Sequence, residues 1–495
     1  GTAVANLLPA VVEADSGALP LLLLTADRPA RLKGCGANQT VNQEAFLAPC
    51  CRLMAAGDPR GLAAMEAEAL QALAASAWQA CLGAPRGPVH LNLPFEEPLH
   101  VDAAAVQVGV ASLHGGMADG APVVAPARVS TLDANSTLDP DQPGLVVAGP
   151  WRGTAAGLVP FAEALLRWQR RTGWPVLADA LSGLRGWPGL EVIHSYDLLL
   201  AEGHGLPPAP QLLRLGPMPA SRRLQQWIAS CTGDQLLISE HDPRNLDAGL
   251  AVTDRCPHGL QAWVTARLAA EAEGEGDGQP PPPASACLAL RQHWLDSDAA
   301  CQRALDADLI GCDPSEPALA RRLSRALPAG LPLMLASSSP VRDWESFAAA
   351  DAPQRPVFGF RGASGIDGTL SLAAGLACSA GALVLLTGDL ALLHDANGWL
   401  WRRQLEARGV RLCVVLVDNG GGGIFEQLPI RLGEEPEPMD FERLFAMPQA
   451  IGHCDLAAGY GVPSRPLTSL DDLSDALAWG LQQPMALLEL RTDRR

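Results

Sequence analysis

Two short apolar runs, each closed by polar residues and glycine, constrain this chain more than any other feature. The first, Ala382–Leu386, leads into Thr387-Gly388-Asp389; the second, Leu412–Val417, leads into Asp418-Asn419 and four glycines, Gly420–Gly423. Uncharged runs separated by a helical stretch suit adjacent parallel strands covered on both faces. In such sheets ligands sit at the carboxyl ends of the strands, so Asp389 and Asn419 are expected to face one crevice. A carboxylate and an amide oxygen are hard ligands, suited to Mg2+ that also bridges phosphates. Glycines there let backbone amides and carbonyls approach a diphosphate closely.

Composition narrows the chemistry by exclusion. At 495 residues the length suggests about three domains. A formal charge of −18 argues against a nucleic-acid or anionic-membrane surface. Lys33 is the only lysine among 36 lysines and arginines, which removes a P-loop lysine and a pyridoxal Schiff-base lysine. Arginine instead favours bidentate capture of carboxylates and phosphates. The twelve cysteines form no CxxC pair and read as reduced thiols of a cytoplasmic protein. Gly368–Gly388 is the longest uncharged stretch, but Ser371, Gly375, Ser379 and Gly381 within it favour helix, turn and strand in a core, so no membrane span is expected. Gly362-Ala363-Ser364-Gly365 runs into Ile366 and fails the G-x-S-x-G pattern of a nucleophile elbow.

In chain order, a helix is expected over Ala3–Ala14, a strand over Leu19–Leu24, a polar glycine loop over Gly34–Gln39, a helix within 61–83 and a strand over Pro88–Leu93. This βαβ pattern closes near Pro98; 101–140 lacks periodicity and reads as a connection. A second α/β unit follows, with strands Leu145–Ala148, Pro175–Leu177, Gln211–Leu215 and Gln235–Ser239 and a helix near Ala155–Arg171. Its turn Gly149-Pro150-Trp151-Arg152-Gly153 resembles a nucleotide-binding turn but misses the GxGxxG spacing, so a structural role is expected for this unit. Residues 271–285, acidic, glycine-rich and then polyproline, read as a linker. The third unit has a helix Glu316–Leu327, strands Leu331–Ala336 and Met485–Leu490, and the two runs above. The expected boundaries are 1–125, 126–270, the linker 271–285, and 286–495.

Arg28, Arg222-Arg223 and Arg342 with Arg361 fall near expected strand ends or turns. Any one of them alone suits a solvated surface, while several together point to a substrate with more than one carboxylate. Ser337-Ser338-Ser339 either cap the helix after Pro340 or, through Ser338, bind a carboxylate. Ile424, Phe425 and Leu428 suit either a flat cofactor ring or ordinary core packing.

Gly-Asp at one strand end, followed 30 residues later by Asn-Gly-Gly after the next strand, resembles the thiamine-diphosphate motif. Gly1-Thr2-Ala3-Val4-Ala5-Asn6, Leu24-Thr25-Ala26-Asp27-Arg28-Pro29, Gly34-Cys35-Gly36-Ala37-Asn38-Gln39, Arg361-Gly362-Ala363-Ser364-Gly365-Ile366-Asp367-Gly368 and Gly422-Gly423-Ile424-Phe425 together resemble one thiamine-diphosphate family. It is the 2-succinyl-5-enolpyruvyl-6-hydroxy-3-cyclohexene-1-carboxylate synthases of menaquinone and phylloquinone synthesis. The likeness spans the chain, strongest at its two ends and weak through 101–210.

The resemblance implies an α/β fold of three doubly wound parallel-sheet domains: a pyrimidine-binding domain lacking its N-terminal part, a central domain, and a diphosphate- and metal-binding domain. It implies a homodimer or dimer of dimers, thiamine diphosphate, and Mg2+ or Mn2+ held by Asp389, Asn419 and the Gly421 carbonyl. Gly388, Leu390, Gly422, Ile366 and Ile424 are then cofactor-binding. Gln39, Arg342 and Arg361 are catalytic, and Arg28, Arg222, Arg223, Ser338, Phe425 and Leu428 bind substrate. The implied reaction is decarboxylation of 2-oxoglutarate and 1,4-addition of the succinyl carbanion to isochorismate. Two departures stand out. The family's activating glutamate precedes the Gly-Thr-Ala-Val segment, here residues 1–4, so the chain is expected to be N-terminally incomplete. Asp418 occupies a position where asparagine is common. Two alternatives remain: another thiamine-diphosphate-dependent 2-oxo acid carboligase, and a cofactor-binding homologue without activity.

Overall fold

The structure, a computed structural model, describes residues 1–96, 107, 138–201, 206, 209–247, 249, 251–274, 281–309, 311, 313–427 and 440–494. The chain forms two compact units, Gly1–Asp133 and Ala134–Arg495.

The first unit carries a three-stranded parallel sheet. Its strands are β1 (Leu21–Asp27), β2 (Leu53–Ala56) and β3 (Pro88–Pro94), in the order β1-β3-β2. The expected strand at Leu19–Leu24 begins later and continues through Asp27, because its register is set by pairing from Leu21↔Pro88 to Asp27↔Pro94. The expected helix Ala3–Ala14 is two helices, Thr2–Ala5 and Leu8–Gly17. Pro9 opens the second, where its missing N–H costs nothing, and it cannot continue a helix arriving from upstream. A buried polar ladder locks the sheet: Thr25 Oγ1 lies 2.7 Å from His90 Nε2, and Asn92 Nδ2 donates to Asp27 Oδ2 at 2.8 Å. Lys33, the single lysine, pairs with Asp27 at 2.7 Å and also with Glu44, so its role is architectural.

The second unit holds two six-stranded parallel sheets. The first comprises β4 (Leu145–Ala148), β5 (Val176–Ala178), β6 (Val192–Ile193), β7 (Gln211–Leu215), β8 (Asp234–Ile238) and β9 (Asp254–Cys256), in the order β6-β5-β4-β7-β8-β9. The helix Leu260–Gly274 continues into the stretch expected as linker from 271. The helix after the proline run, Ser285–Leu309, packs Trp294 into the core of this sheet beside Leu145, Val147 and Leu177.

The other sheet comprises β10 (Leu333–Leu335), β11 (Val357–Gly359), β12 (Ala382–Gly388), β13 (Arg411–Asp418), β14 (Ser464–Leu467) and β15 (Met485–Arg491), in the order β11-β10-β12-β13-β15-β14. Side chains alternate along each strand. Val384, Leu386, Val415 and Leu488 pack on one face; Leu383, Leu385, Val414 and Leu487 pack on the other. Both faces are buried, as the unbroken apolar runs require.

Candidate active site

The chain leaves β10 for the edge strand β11 and returns to β12 on the opposite side of β10. The carboxyl ends of β10 and β12 therefore flank a topological switch point, where open α/β sheets bind ligands. Ser337 and Ser338 follow β10, and Asp389 follows β12. The register Gly388↔Val417 carries Asp418 level with Asp389 and sets Asn419 one residue further along the neighbouring strand end.

Asp389 and Asn419 line one cavity of about 300 Å³, together with Gly388, Leu390, Gly421 and Gly422. Ile366, Ile424 and Phe425 form its apolar wall, and Ser338, Arg342 and Arg361 reach it from the other side. Asp389 opens the helix Asp389–His394. Its Oδ1 accepts from Leu390 N at 2.8 Å and its Oδ2 from Gly421 N at 2.7 Å. Burial, reinforced by the Asp418 charge, pushes its carboxyl up to about 6 despite those hydrogen bonds. A buried carboxylate that lacks a counter-charge is relieved by a cation. Asn419 donates from Nδ2 to Glu316, while its Oδ1 is buried without a partner. Gly421 has φ +124°, and a Cβ there would stand 2.1 Å from the Ala446 carbonyl oxygen, so only glycine fits. Its own carbonyl accepts from Gly423 N at 2.9 Å, which leaves a second lone pair. An orphaned amide oxygen, a carboxylate and a carbonyl make an all-oxygen donor set of the kind that fits Mg2+ or Mn2+ shared with a diphosphate.

A second cavity of about 420 Å³ shares Ser339, Arg342, Asp343, Ile424 and Phe425 with the first and adds Arg222 and Arg223. These two arginines open the helix Arg222–Ser230, whose N-cap Ser221 accepts from Leu224 N at 3.0 Å. Cations at the positive end of a helix are unfavourable by themselves and become favourable with an anion between them. Arg223 pairs with Asp197 at 2.8 Å. Arg342 is held below the ordinary arginine range by burial and by the nearby Arg361 and Arg222 charges, and its Nη1 donates to Ser338 O at 2.7 Å. Ser338 has φ +76°, a strained conformation for serine, and its side chain makes no capping hydrogen bond to the helix Ser339–Phe347. Of the two readings of the serine run, helix capping by Ser338 is therefore removed.

In the first unit Arg28 Nη2 donates to Gln39 Oε1 at 3.3 Å, so these two expected residues meet. Leu428 lies outside the described residues. Asp418 accepts from Gly420 N at 3.1 Å, approaches Arg491 at 3.6 Å, and lines a groove that shares Asn419, but not Asp389, with the first cavity.

Four side chains at the site carry no sequence signal. Glu316 meets Asn419 across 103 residues of chain. Asp343, whose carboxyl is held well above the carboxylate range by burial and by Glu316, lines both cavities. Arg152, from the unit expected above to be structural, donates from Nη2 to the Arg361 carbonyl at 2.9 Å. Glu345 is buried beside Asp179, and its carboxyl is pushed up to about 8. Ser315 before Glu316 is a readable helix cap, but nothing local directs the glutamate to residue 419.

A doubly wound parallel sheet with an oxygen-lined pocket at its switch point is consistent with the fold of thiamine-diphosphate enzymes. Residues 141–334 match a family described as the middle domain of thiamine pyrophosphate enzymes. The chain is 53% identical to the 2-succinyl-5-enolpyruvyl-6-hydroxy-3-cyclohexene-1-carboxylate synthase of Synechococcus sp. (strain RCC307), over 100% of this chain and 82% of that protein. It is 51% identical to the synthase of the same name from Synechococcus sp. (strain CC9311), covering 84% of it, and 50% identical to that of Parasynechococcus marenigrum (strain WH8102), covering 85%. The chain belongs to the 2-succinyl-5-enolpyruvyl-6-hydroxy-3-cyclohexene-1-carboxylate synthase family, and is a transferase of the thiamine-diphosphate class.

Proposed function

We propose that this chain catalyses the synthase reaction of its relatives: decarboxylation of 2-oxoglutarate and 1,4-addition of the succinyl carbanion to isochorismate, in menaquinone or phylloquinone synthesis. The observation that carries this is the junction of two cavities, one with a buried, orphaned Asn419 oxygen beside Asp389, the other walled by Arg222, Arg223 and Arg342. The first suits a metal–diphosphate and the second suits dicarboxylates.

When bound, thiamine diphosphate supplies the electron sink for loss of CO2. Asp389 and Asn419 side chains and the Gly421 carbonyl would hold Mg2+ or Mn2+ and, through it, the diphosphate. Gly388, Leu390 and Gly422 would line that seat, and Ile366 and Ile424 would support the cofactor rings. Arg222, Arg223, Arg342 and Arg361 would bind the substrate carboxylates, orienting both partners and offsetting their charge in a site with little water. Ser338, Phe425 and Leu428 would complete the substrate wall. Arg28 is assigned to substrate binding and Gln39 to catalysis by their match to the family's motifs. A cytoplasmic location and a homodimer or dimer of dimers complete the reading. Among the described residues every cysteine is free, and no helix is long and apolar enough to cross a membrane.

The test is turnover with thiamine diphosphate and Mg2+. CO2 release coupled to consumption of both 2-oxoglutarate and isochorismate is expected. Equal CO2 release without isochorismate, or with pyruvate in place of 2-oxoglutarate, would instead mark a different carboligase.

A further inference from the structure

The Asn419 amide enters its cavity already oriented. Its Nδ2 donates to Glu316 Oε1 at 2.5 Å, so the buried, unpartnered Oδ1 is the end left for the cavity. Gly423 crowds the same group: a Cβ there would stand 2.6 Å from Asn419 Nδ2 and 3.2 Å from its Cγ. Glu316 is fixed in turn. It is the first residue of the helix Glu316–Ala326, whose N-cap Ser315 accepts from Ala318 N, and an acidic side chain is favoured at that helix end. A primary amide is nearly symmetric in shape but not in charge. One end donates two protons and the other accepts. Turned by half a rotation, Asn419 would present N–H groups to a cation and repel it.

We infer that Glu316 is a positioning residue: by accepting from Asn419 Nδ2 it commits Oδ1 to the metal side of the cavity. This rests on the reading of Asn419 as a metal ligand proposed above. Partners that orient a ligand in this way characteristically change metal affinity by about 10- to 100-fold when removed. The effect belongs to the acceptor atom at the end of the glutamate side chain, which separates it from helix capping and from net charge.

The experiment is calorimetric titration of the cofactor-free full chain with Mg2+ and thiamine diphosphate, with thermal unfolding of the same cofactor-free samples. Glu316→Ala and Glu316→Asp are expected to raise the apparent Kd at least about tenfold, the first lacking the acceptor and the second withdrawing it by one methylene. Glu316→Gln keeps an acceptor oxygen at the same reach and is expected to lose clearly less than the roughly tenfold of the other two variants. The reverse pattern, in which Asp retains affinity and Gln loses it, would show that charge rather than orientation matters and would overturn the inference. Parental affinity in Glu316→Ala, with binding lost in Asp389→Ala, overturns it alone. Parental affinity in Asp389→Ala removes the cation reading itself and the inference with it.

Discussion

Arg361 shows how single residues at this site combine several demands. It lines the cavity of Asp389 and Asn419, its backbone carbonyl is tied by Arg152, and its charge contributes to holding the Arg342 guanidinium below the ordinary range. Guanidiniums crowded in this way repel one another until an anion enters, so under the proposed function their arrangement serves binding rather than stability. Arg361→Ala is expected to leave the unfolding midpoint near that of the parent. It should lower kcat/KM for the dicarboxylate substrates by roughly 10- to 150-fold, the equivalent of about 1.5–3 kcal/mol for a charged hydrogen bond. Arg361→Lys keeps the charge but not the fork, and should recover only part of this. Steady-state kinetics with each substrate varied in turn reads both. A parental kcat/KM in Arg361→Ala would take this residue out of the substrate site.

At the scale of elements, legibility followed how much of the signal was local. β12 and β13 were readable because an uninterrupted apolar run admits few alternatives to a buried strand, and the residues closing them, Asp389 and Asn419, inherit their position from it. β2, with only Leu53–Ala56, and β6, with Val192–Ile193, are too short to show a period, and only their neighbours define them. The same limit hid Glu316, Arg152 and Glu345, whose partners are distant in sequence. The helix Ser339–Phe347 illustrates the point: Arg342 follows a local serine–proline turn, whereas Glu345 on the same helix meets partners distant in sequence. Glu345 Oε2 accepts from Ala180 N, and Arg185 Nη2 stands 3.4 Å from Oε1. Burial and the neighbouring Asp179 raise its carboxyl to about 8, so the folded chain holds a proton that the unfolded chain releases at lower pH. A raised folded-state value gives stability that is complete below the ordinary glutamate range and is lost as pH rises through about 8. Between pH 6 and 8.5 the loss from this group is on the order of 2 kcal/mol. Glu345→Gln, neutral at every pH, should flatten that decline. Urea midpoints of parent and variant at the two pH values test it, and parallel declines would contradict the assignment.

For the whole molecule, the question is how a chain of net charge −18 holds an anionic cofactor and anionic substrates. Screening confines each surface charge to about 8 Å at physiological salt, so what a ligand meets is the local arginine cluster and the proposed cation site rather than the total. Binding energy then appears as folding energy of the unit that supplies the donors, Ala134–Arg495, since the donors are assembled only when that unit is folded. With Mg2+ and thiamine diphosphate at about one hundred times the apparent Kd, unfolding of this unit should be opposed by about 2.7 kcal/mol more than without them. Chelation of the metal should return the midpoint to its starting value, because the diphosphate alone faces the buried Asp389 carboxyl without a counter-charge. Asp389→Ala removes one of the two side-chain donors, and its midpoint should not move when cofactor and metal are added. Scanning calorimetry of parent and variant, each with and without Mg2+ and thiamine diphosphate, decides the matter. A parental midpoint indifferent to both additions would sink the cofactor assignment, and an equal rise in Asp389→Ala would sink the assignment of that carboxylate to the metal.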